Sequence, residues 1–188
     1  MSAANQAIGK HVTRYFRGHP VFAVEVPPDA RDRVPGLEIL EIGKGPRTRL
    51  NTYVTLGCWE AVQSGGEGLE FLLSAREADV AHATTLASVA ARHCGTPEQR
   101  LARGSVVPLG RPWTADSSCD SLFVTLPYPY GPDLEWCRWR RNSARLLWLM
   151  PITPTEAAYV DEHGVEALER RFEQTQVHFA DPDRPPVV

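Results

Sequence analysis

Little in this sequence points to a stapled or metal-organised fold. Four cysteines in 188 residues, Cys58, Cys94, Cys119 and Cys137, include no CxxC pair. A zinc site legible in sequence normally shows two close pairs of Cys or His, because a tight turn must deliver two ligands to one ion. His93 beside Cys94 does not serve, since neighbours on a helix point about 100° apart. Without a secretion signal the thiols read as reduced and structural, and neither a metal nor a cofactor is expected. Lysine is nearly missing: Lys10 and Lys44 stand against eighteen arginines, a bias of GC-rich coding that says nothing about mechanism. No apolar run approaches the roughly 20 residues of a membrane helix. Ser2 to Gly9 lacks the charged start and long apolar centre of a signal peptide. A cytoplasmic protein without a membrane partner is expected.

What is present suits one globular domain over residues 1–188. The chain is 43% hydrophobic and 23% charged, and at this size folding should bury about 70% of the unfolded surface, enough to hold without disulfides. Twenty bases against twenty-three acids give a formal charge of -3 and a pI near 6.1. That balance argues against broad binding to nucleic acid or anionic lipid and leaves a local basic patch open.

Periodicity organises the chain. Ile8, Val12, Tyr15 and Phe16 share one face of a helix from about Ala3 to Phe16, stopped by Gly18 and Pro20. Short β-prone runs follow at Val21 to Val26, Leu37 to Ile42, Leu50 to Leu56 and Leu69 to Leu73. The last two read as antiparallel neighbours around turn glycines Gly65, Gly66 and Gly68. Asp79 to His93 changes to a helical period on an alanine background. Val106 and Val107, Ser121 to Leu126 and Leu146 to Met150 are further strands, the last apolar throughout and so buried on both faces. Turn residues fill Pro127 to Asp133. Thr153-Pro154-Thr155-Glu156 is a capping box with proline in the first turn; its helix should run to His163, with Gly164 as a left-handed stop. Val165, Leu168 and Phe172 then stripe another helix, and 181–188 reads as a tail. The expected class is α+β, a mixed, mainly antiparallel sheet flanked by helices.

No catalytic set assembles from spacing alone. Gly43-Lys44-Gly45 lacks the third glycine and the helix of a phosphate loop, and Gly65-Gly66-Glu67-Gly68 puts a carboxylate where phosphate would sit; both read as turns. No serine has glycine two residues to either side, and no histidine pair has zincin spacing. A cysteine nucleophile served by a distant histidine stays open, as do the undiagnostic carboxylate pairs Glu67/Glu70 and Asp161/Glu162. Two charge anomalies remain. Trp136, Arg138, Trp139, Arg140, Arg141 and Arg145 interleave aromatic rings with cations, a mixture that suits base stacking, a protein interface, or a solvated connection whose tryptophans cover a strand. Glu156, Asp161, Glu162, Glu166, Glu169 and Glu173 outweigh Arg170 and Arg171, which reads as helix solvation or an acidic face for a basic partner.

Taken in order, NTYVTLG (Asn51 to Gly57), LEFLL (Leu69 to Leu73), the alanine-rich helix, SLFVTLP (Ser121 to Pro127) and above all LLWLMPITPTE (Leu146 to Glu156), followed by Gly164, Leu168 and Asp183-Arg184, carry a likeness. Over roughly Pro35 to Val188 the chain resembles the suppressor-of-fused (SUFU) domain family in its bacterial, stand-alone form. The resemblance implies a mixed α/β domain without catalysis that binds another protein. Animal members sequester a transcription factor, and bacterial relatives are proposed as immunity proteins of polymorphic toxin systems. The expected partner is then a toxin domain; because many toxins acting on nucleic acid are basic, a net-acidic binder would gain association rate from steering. The residues expected to touch it are Trp136, Arg138, Trp139, Arg140 and Arg141, then Glu162, Glu166 and Glu169. The alternatives are a nucleic-acid-binding accessory protein using the Trp-Arg patch, and a cysteine-dependent enzyme.

Overall fold

Ser2 caps the first helix, α1 (Ala3–Tyr15), its hydroxyl accepting the Asn5 N–H at 3.1 Å, and the predicted face buries Ile8, Val12 and Phe16 completely. The computed structural model describes residues 2–62 and 68–188; the expected turn at Gly65 and Gly66 and the carboxylate of Glu67 fall outside the described residues. The chain is α+β with mainly antiparallel strands, and its contacts divide it into two compact units: residues to Leu101 with Leu126–Trp148, and Ala102–Thr125 with Leu149–Val188.

In the first unit, β1 (Val21–Val24), β2 (Glu38–Ile42), β3 (Asn51–Leu56) and β4 (Leu69–Ala75) are successive antiparallel neighbours. β4 then pairs in parallel with the start of β8 (Asn142–Ile152), Leu69 lying opposite Arg145. Every residue of β3 and β4 is buried. Tyr53 and Phe71 face α4 (Val80–His93), with the rings of His82 and His93 5.5 and 5.0 Å away. Asp79 caps α4 by accepting the Ala81 N–H at 2.8 Å. Short helices α2 (Pro28–Arg33), α3 (Cys58–Ala61) and α5 (Pro132–Glu135) connect the strands; none is long enough to display the periodicity that reveals a helix in sequence. The turn-rich Pro127 to Asp133 segment packs down. The Tyr130 hydroxyl lies 2.7 Å from the Ser74 hydroxyl and 3.0 Å from that of Thr52, and the Tyr130 carbonyl accepts the Tyr15 hydroxyl at 2.5 Å. Tyr128, Pro129, Pro132 and Asp133 remain exposed on either side of the buried Tyr130.

In the second unit β5 (Val106–Pro108) pairs antiparallel with β6 (Ser121–Thr125), and the Asp120 N–H donates to the Ile152 carbonyl at the end of β8 at 3.2 Å. The capping box forms as the sequence predicts. Thr153 and Glu156 bond reciprocally at the start of α6 (Pro154–His163). Gly164, at φ +84° and ψ 167°, takes positive φ but extended ψ, so it turns the chain directly into α7 (Val165–Thr175) in place of a left-handed stop. The larger departure is the expected tail. Arg184 is buried and forms a bidentate pair with the fully buried Glu156 (2.6 and 2.7 Å), donates to the Pro151 carbonyl at 3.0 Å and lies 5.6 Å from the Phe172 ring centre. The Val187 N–H also donates to Glu156, at 3.1 Å. Glu156 is therefore an interior anchor for the C-terminal strap, not part of an acidic exterior.

Candidate functional site

The Trp-Arg segment is a β-hairpin. Trp136–Trp139 forms β7, antiparallel to β8, with Trp136 opposite Arg145 and Trp139 opposite Asn142. Arg140 and Arg141 make the two-residue turn, and Arg140 has φ +50°. Such turns favour positive φ, which sequences usually announce with Asn-Gly; Arg-Arg gives no such signal, which is why the sequence shows a connection here. Pleating sorts the side chains. Trp136 and Arg138 are exposed, Cys137 is buried, and Trp139 is partly covered. The Trp136 ring takes the Arg145 guanidinium at 5.1 Å and that of Arg138 at 5.9 Å, and Arg145 donates to Glu135 at 2.8 Å.

Trp139 is propped from below. Its ring meets Trp59 edge-on at 4.9 Å, and the Trp59 indole N–H donates to the Ser143 carbonyl at 2.7 Å. Trp59 is held in turn by the start of α3. Buried Glu70 accepts the N–H groups of Gly57, Trp59 and Cys58 at 2.9, 3.1 and 3.4 Å and the Thr55 hydroxyl at 2.6 Å, satisfying donors that a helix start otherwise leaves unmade. Burial raises the Glu70 carboxyl to about 7. Gly68 is required beside this helix, because a Cβ there would lie 2.2 Å from the Trp59 ring.

Between α1 and the hairpin runs a groove of about 490 Å³. Lys10, Arg14, Arg138 and Arg140 line it, all exposed, and no Asp or Glu does. Ala3, Ala7, Cys137 and Trp139 supply its apolar part. His11 sits at its edge, donating from Nε2 to the Leu134 carbonyl at 2.9 Å. Burial lowers the His11 pKa against the pull of that bond. Arg14 and His11 continue into a neighbouring hollow of about 270 Å³ that Asp133 and Arg47 also line, the Arg47 guanidinium lying 4.5 Å from the Tyr15 ring centre. The structure thus gathers Arg138, Trp139 and Arg140 with α1 residues that the sequence did not single out. The missed signal is Lys10 and Arg14, one turn apart on a helix whose apolar stripe drew the attention. Trp136 and Arg141 are exposed but do not line the groove.

The expected acidic residues lie in the second unit and divide. Glu162 and Glu166 are exposed, and the Glu162 carboxylate lies 3.9 Å from His163 Nδ1. Glu169 is buried, pairs with Arg103 and accepts the Thr125 hydroxyl at 2.7 Å, so it holds its own unit together and is not offered to solvent.

The remaining chemistry-bearing groups are tied to the fold. A hydrogen bond to Cys94 and burial hold the Cys58 thiol well above its ordinary pKa; burial pushes up that of Cys119 and takes Cys137 to about 11. These shifts oppose the thiolate character a nucleophile needs. His93 accepts the Leu101 N–H at 3.0 Å, and burial lowers it to about 4. His19 donates to the Gly43 carbonyl at 2.7 Å and accepts the Arg47 N–H at 3.0 Å. Among the described residues no three His, Cys, Asp or Glu side chains gather as a metal site, and no helix is long and apolar enough to cross a membrane.

Comparison with known proteins places this architecture. No curated protein sequence matches the chain. The chain is similar to a SUFU (suppressor of fused protein) homolog from Neisseria gonorrhoeae, with 28% identity and a TM-score of 0.86 over 98% of this chain and 97% of the other. A structure of a Sufu–Fu complex matches at 12% identity and TM-score 0.68, covering 98% of this chain and 92% of that one. Drosophila Suppressor of Fused matches at 11% and 0.67, and there the chain covers 98% of itself but 51% of the fly protein. The family model "Suppressor of fused protein (SUFU)" matches residues 33–185, including the hairpin and the Arg184 strap. The chain belongs to the suppressor-of-fused family.

Proposed function

We propose that this chain is a non-catalytic protein-interaction module of the cytoplasm, and that its partner is a toxin domain which it binds and neutralises as an immunity protein. Family membership supports the module reading, and a relative of the same fold is seen in a Sufu–Fu complex. The observation that carries it is how the interior uses its ionisable groups. Glu70 organises the start of α3, Glu156 anchors Arg184, Glu169 pairs with Arg103, and His11, His19 and His93 each bond a backbone group. Side chains that could do acid–base work hold loops and termini instead, and the exposed aromatic and arginine residues lie where a partner can meet them.

The test is co-expression of the tagged chain with the product of the adjacent gene, which the immunity reading expects to be a secreted multidomain protein. A stoichiometric complex and restored growth of cells making that protein are expected. Repeated recovery of the chain alone counts against the module reading, and a complex with an unrelated protein keeps the module and removes the immunity role. A second reading, nucleic-acid binding by Trp136, Arg138, Trp139, Arg140 and Arg141, draws on rings beside exposed arginines. It predicts a gel shift of labelled RNA or DNA that weakens steeply with salt, and no shift at low salt removes it.

A further inference from the structure

We infer that the groove between α1 and β7 is a docking site for an extended acidic segment of the protein partner, a run of about four consecutive carboxylate residues. The inference rests on the protein-interaction reading and adds the place and the chemistry of the contact.

Charge complementarity is the first ground. The chain is formally acidic, yet this groove presents Lys10, Arg14, Arg138 and Arg140 and no carboxylate. All four side chains are exposed, and among the described residues none of them makes an ion pair within the unit. Arg145, by contrast, is neutralised by Glu135 a few residues away. What sets the groove apart is that four exposed cations converge on one hollow whose lining holds no carboxylate.

Spacing is the second ground. Lys10 and Arg14 stand one turn apart on the helix wall, about 6 Å along its axis. On the hairpin wall Arg138 lies in β7 and Arg140, two residues further on, in the turn that follows it. An extended peptide sends alternate side chains to opposite sides with a two-residue repeat of about 6–7 Å. Its odd carboxylates meet one wall and its even ones the other. A single nucleic-acid strand carries its phosphates along one line and so engages one wall at a time. Size agrees with a short segment: about 490 Å³ lies in the usual range for a bound ligand.

The floor is the third ground. Trp139 is fixed by Trp59, which is fixed by the Ser143 carbonyl and by the Glu70-capped helix start. Arginines around a fixed tryptophan are the composition of contact hot spots. Among the described residues β7 has β8 as its strand partner and α1 beside it, so an extended segment can lie along the hairpin without displacing any strand.

The test uses fluorescence polarisation of a labelled octapeptide holding four consecutive glutamates between glycine and serine. Its controls are the same peptide with glutamine for glutamate and a labelled eight-nucleotide oligothymidine. The glutamate peptide should bind the wild-type chain at least tenfold more tightly than either control. Lys10→Glu/Arg14→Glu and, separately, Arg138→Glu/Arg140→Glu should each weaken it at least tenfold, while Arg170→Glu/Arg171→Glu on α7 should not. All substituted positions are exposed, and unchanged circular dichroism and melting confirm each fold. Equal binding of glutamate and glutamine peptides, indifference to both groove variants, or preference for the oligonucleotide overturns the inference. If a partner from the co-expression test binds the groove variants as well as wild type, the groove proposal falls and the module reading stands.

Discussion

Glu70 and His93 are buried in the same unit and titrate against one another, so replacing one exposes the other. The Glu70 carboxyl is raised from 4.5 to about 7 by burial, despite the donors around it. A folded-state pKa above the unfolded one means stability that is full below about pH 4.5 and lost as pH rises to about 7. His93 is lowered from 6.5 to about 4 by burial. Its contribution is full above pH 6.5 and lost as pH falls to about 4. Each pH unit between the two pKa values of one group is worth about 1.4 kcal/mol, so each group moves stability by about 3 kcal/mol, in opposite directions across the shared range from about pH 4.5 to 6.5. The contributions of these two groups should nearly cancel there. Glu70→Gln removes the descending limb, so the stability of wild type minus that of the variant should shrink by about 3 kcal/mol from pH 4.5 to 7. His93→Asn should give a difference that grows by about 3 kcal/mol from pH 4 to 6.5. Urea unfolding followed by tryptophan fluorescence reads both, since Trp59, Trp136, Trp139 and Trp148 belong to that unit. A pH-independent difference for Glu70→Gln would refute the reasoning and mean that the four donors keep the carboxylate ionised throughout.

Arg184→Met leaves Glu156 buried without its partner, so it should cost about 3–5 kcal/mol, measured by chemical denaturation; a loss below about 1 kcal/mol would mean that the strap is not held as described. Gly68→Ala drives a Cβ into the Trp59 ring and should cost about 1–3 kcal/mol, shift the tryptophan emission and weaken the acidic peptide, whereas unchanged emission would show that Trp59 does not prop the hairpin. Cys58, Cys119 and Cys137 should resist a mild alkylating reagent until the chain unfolds, as mass spectrometry will report; rapid labelling of any of them in the native protein would reopen the cysteine-enzyme reading.

What the sequence made legible was local. The α1 face, the Asp79 cap with α4, and the Thr153 to Glu156 capping box each follow from side chains a few residues apart, and each forms where its pattern lies. The partnership of β3 and β4 was legible because two apolar runs flank turn glycines. The hairpin at Trp136 to Arg145 was not, since its turn uses Arg140 at positive φ without the usual glycine or asparagine. The Arg184 strap was hidden for another reason: its partner Glu156 lies 28 positions away, already accounted for by the capping box, and a proline-rich end looks like a tail. For the site, the Trp-Arg half was visible as composition. The α1 half was not, because only the folded register sets Lys10 and Arg14 across from Arg138 and Arg140.

Net charge is the other place where sequence misleads. Among the described residues four acids, Glu70, Glu135, Glu156 and Glu169, and one base, Arg184, are buried. Their balance alone accounts for the formal -3, and the rest of the chain carries as many bases as acids. The steering expected of a net-acidic binder toward a basic partner therefore has no surplus of surface acid behind it. At physiological salt, where fields reach about 8 Å, an approaching protein responds chiefly to the side chains it faces, and at the groove these are cations. Lowering the ionic strength to about 0.01 M extends that reach to about 30 Å and separates the two cases. If the groove cations govern encounter, a partner chosen to bear an acidic run and a net negative charge should associate faster in low salt, although this chain is formally negative as well. If overall charge governs, association should slow, and stopped-flow rates showing that slowing would remove the groove from the encounter.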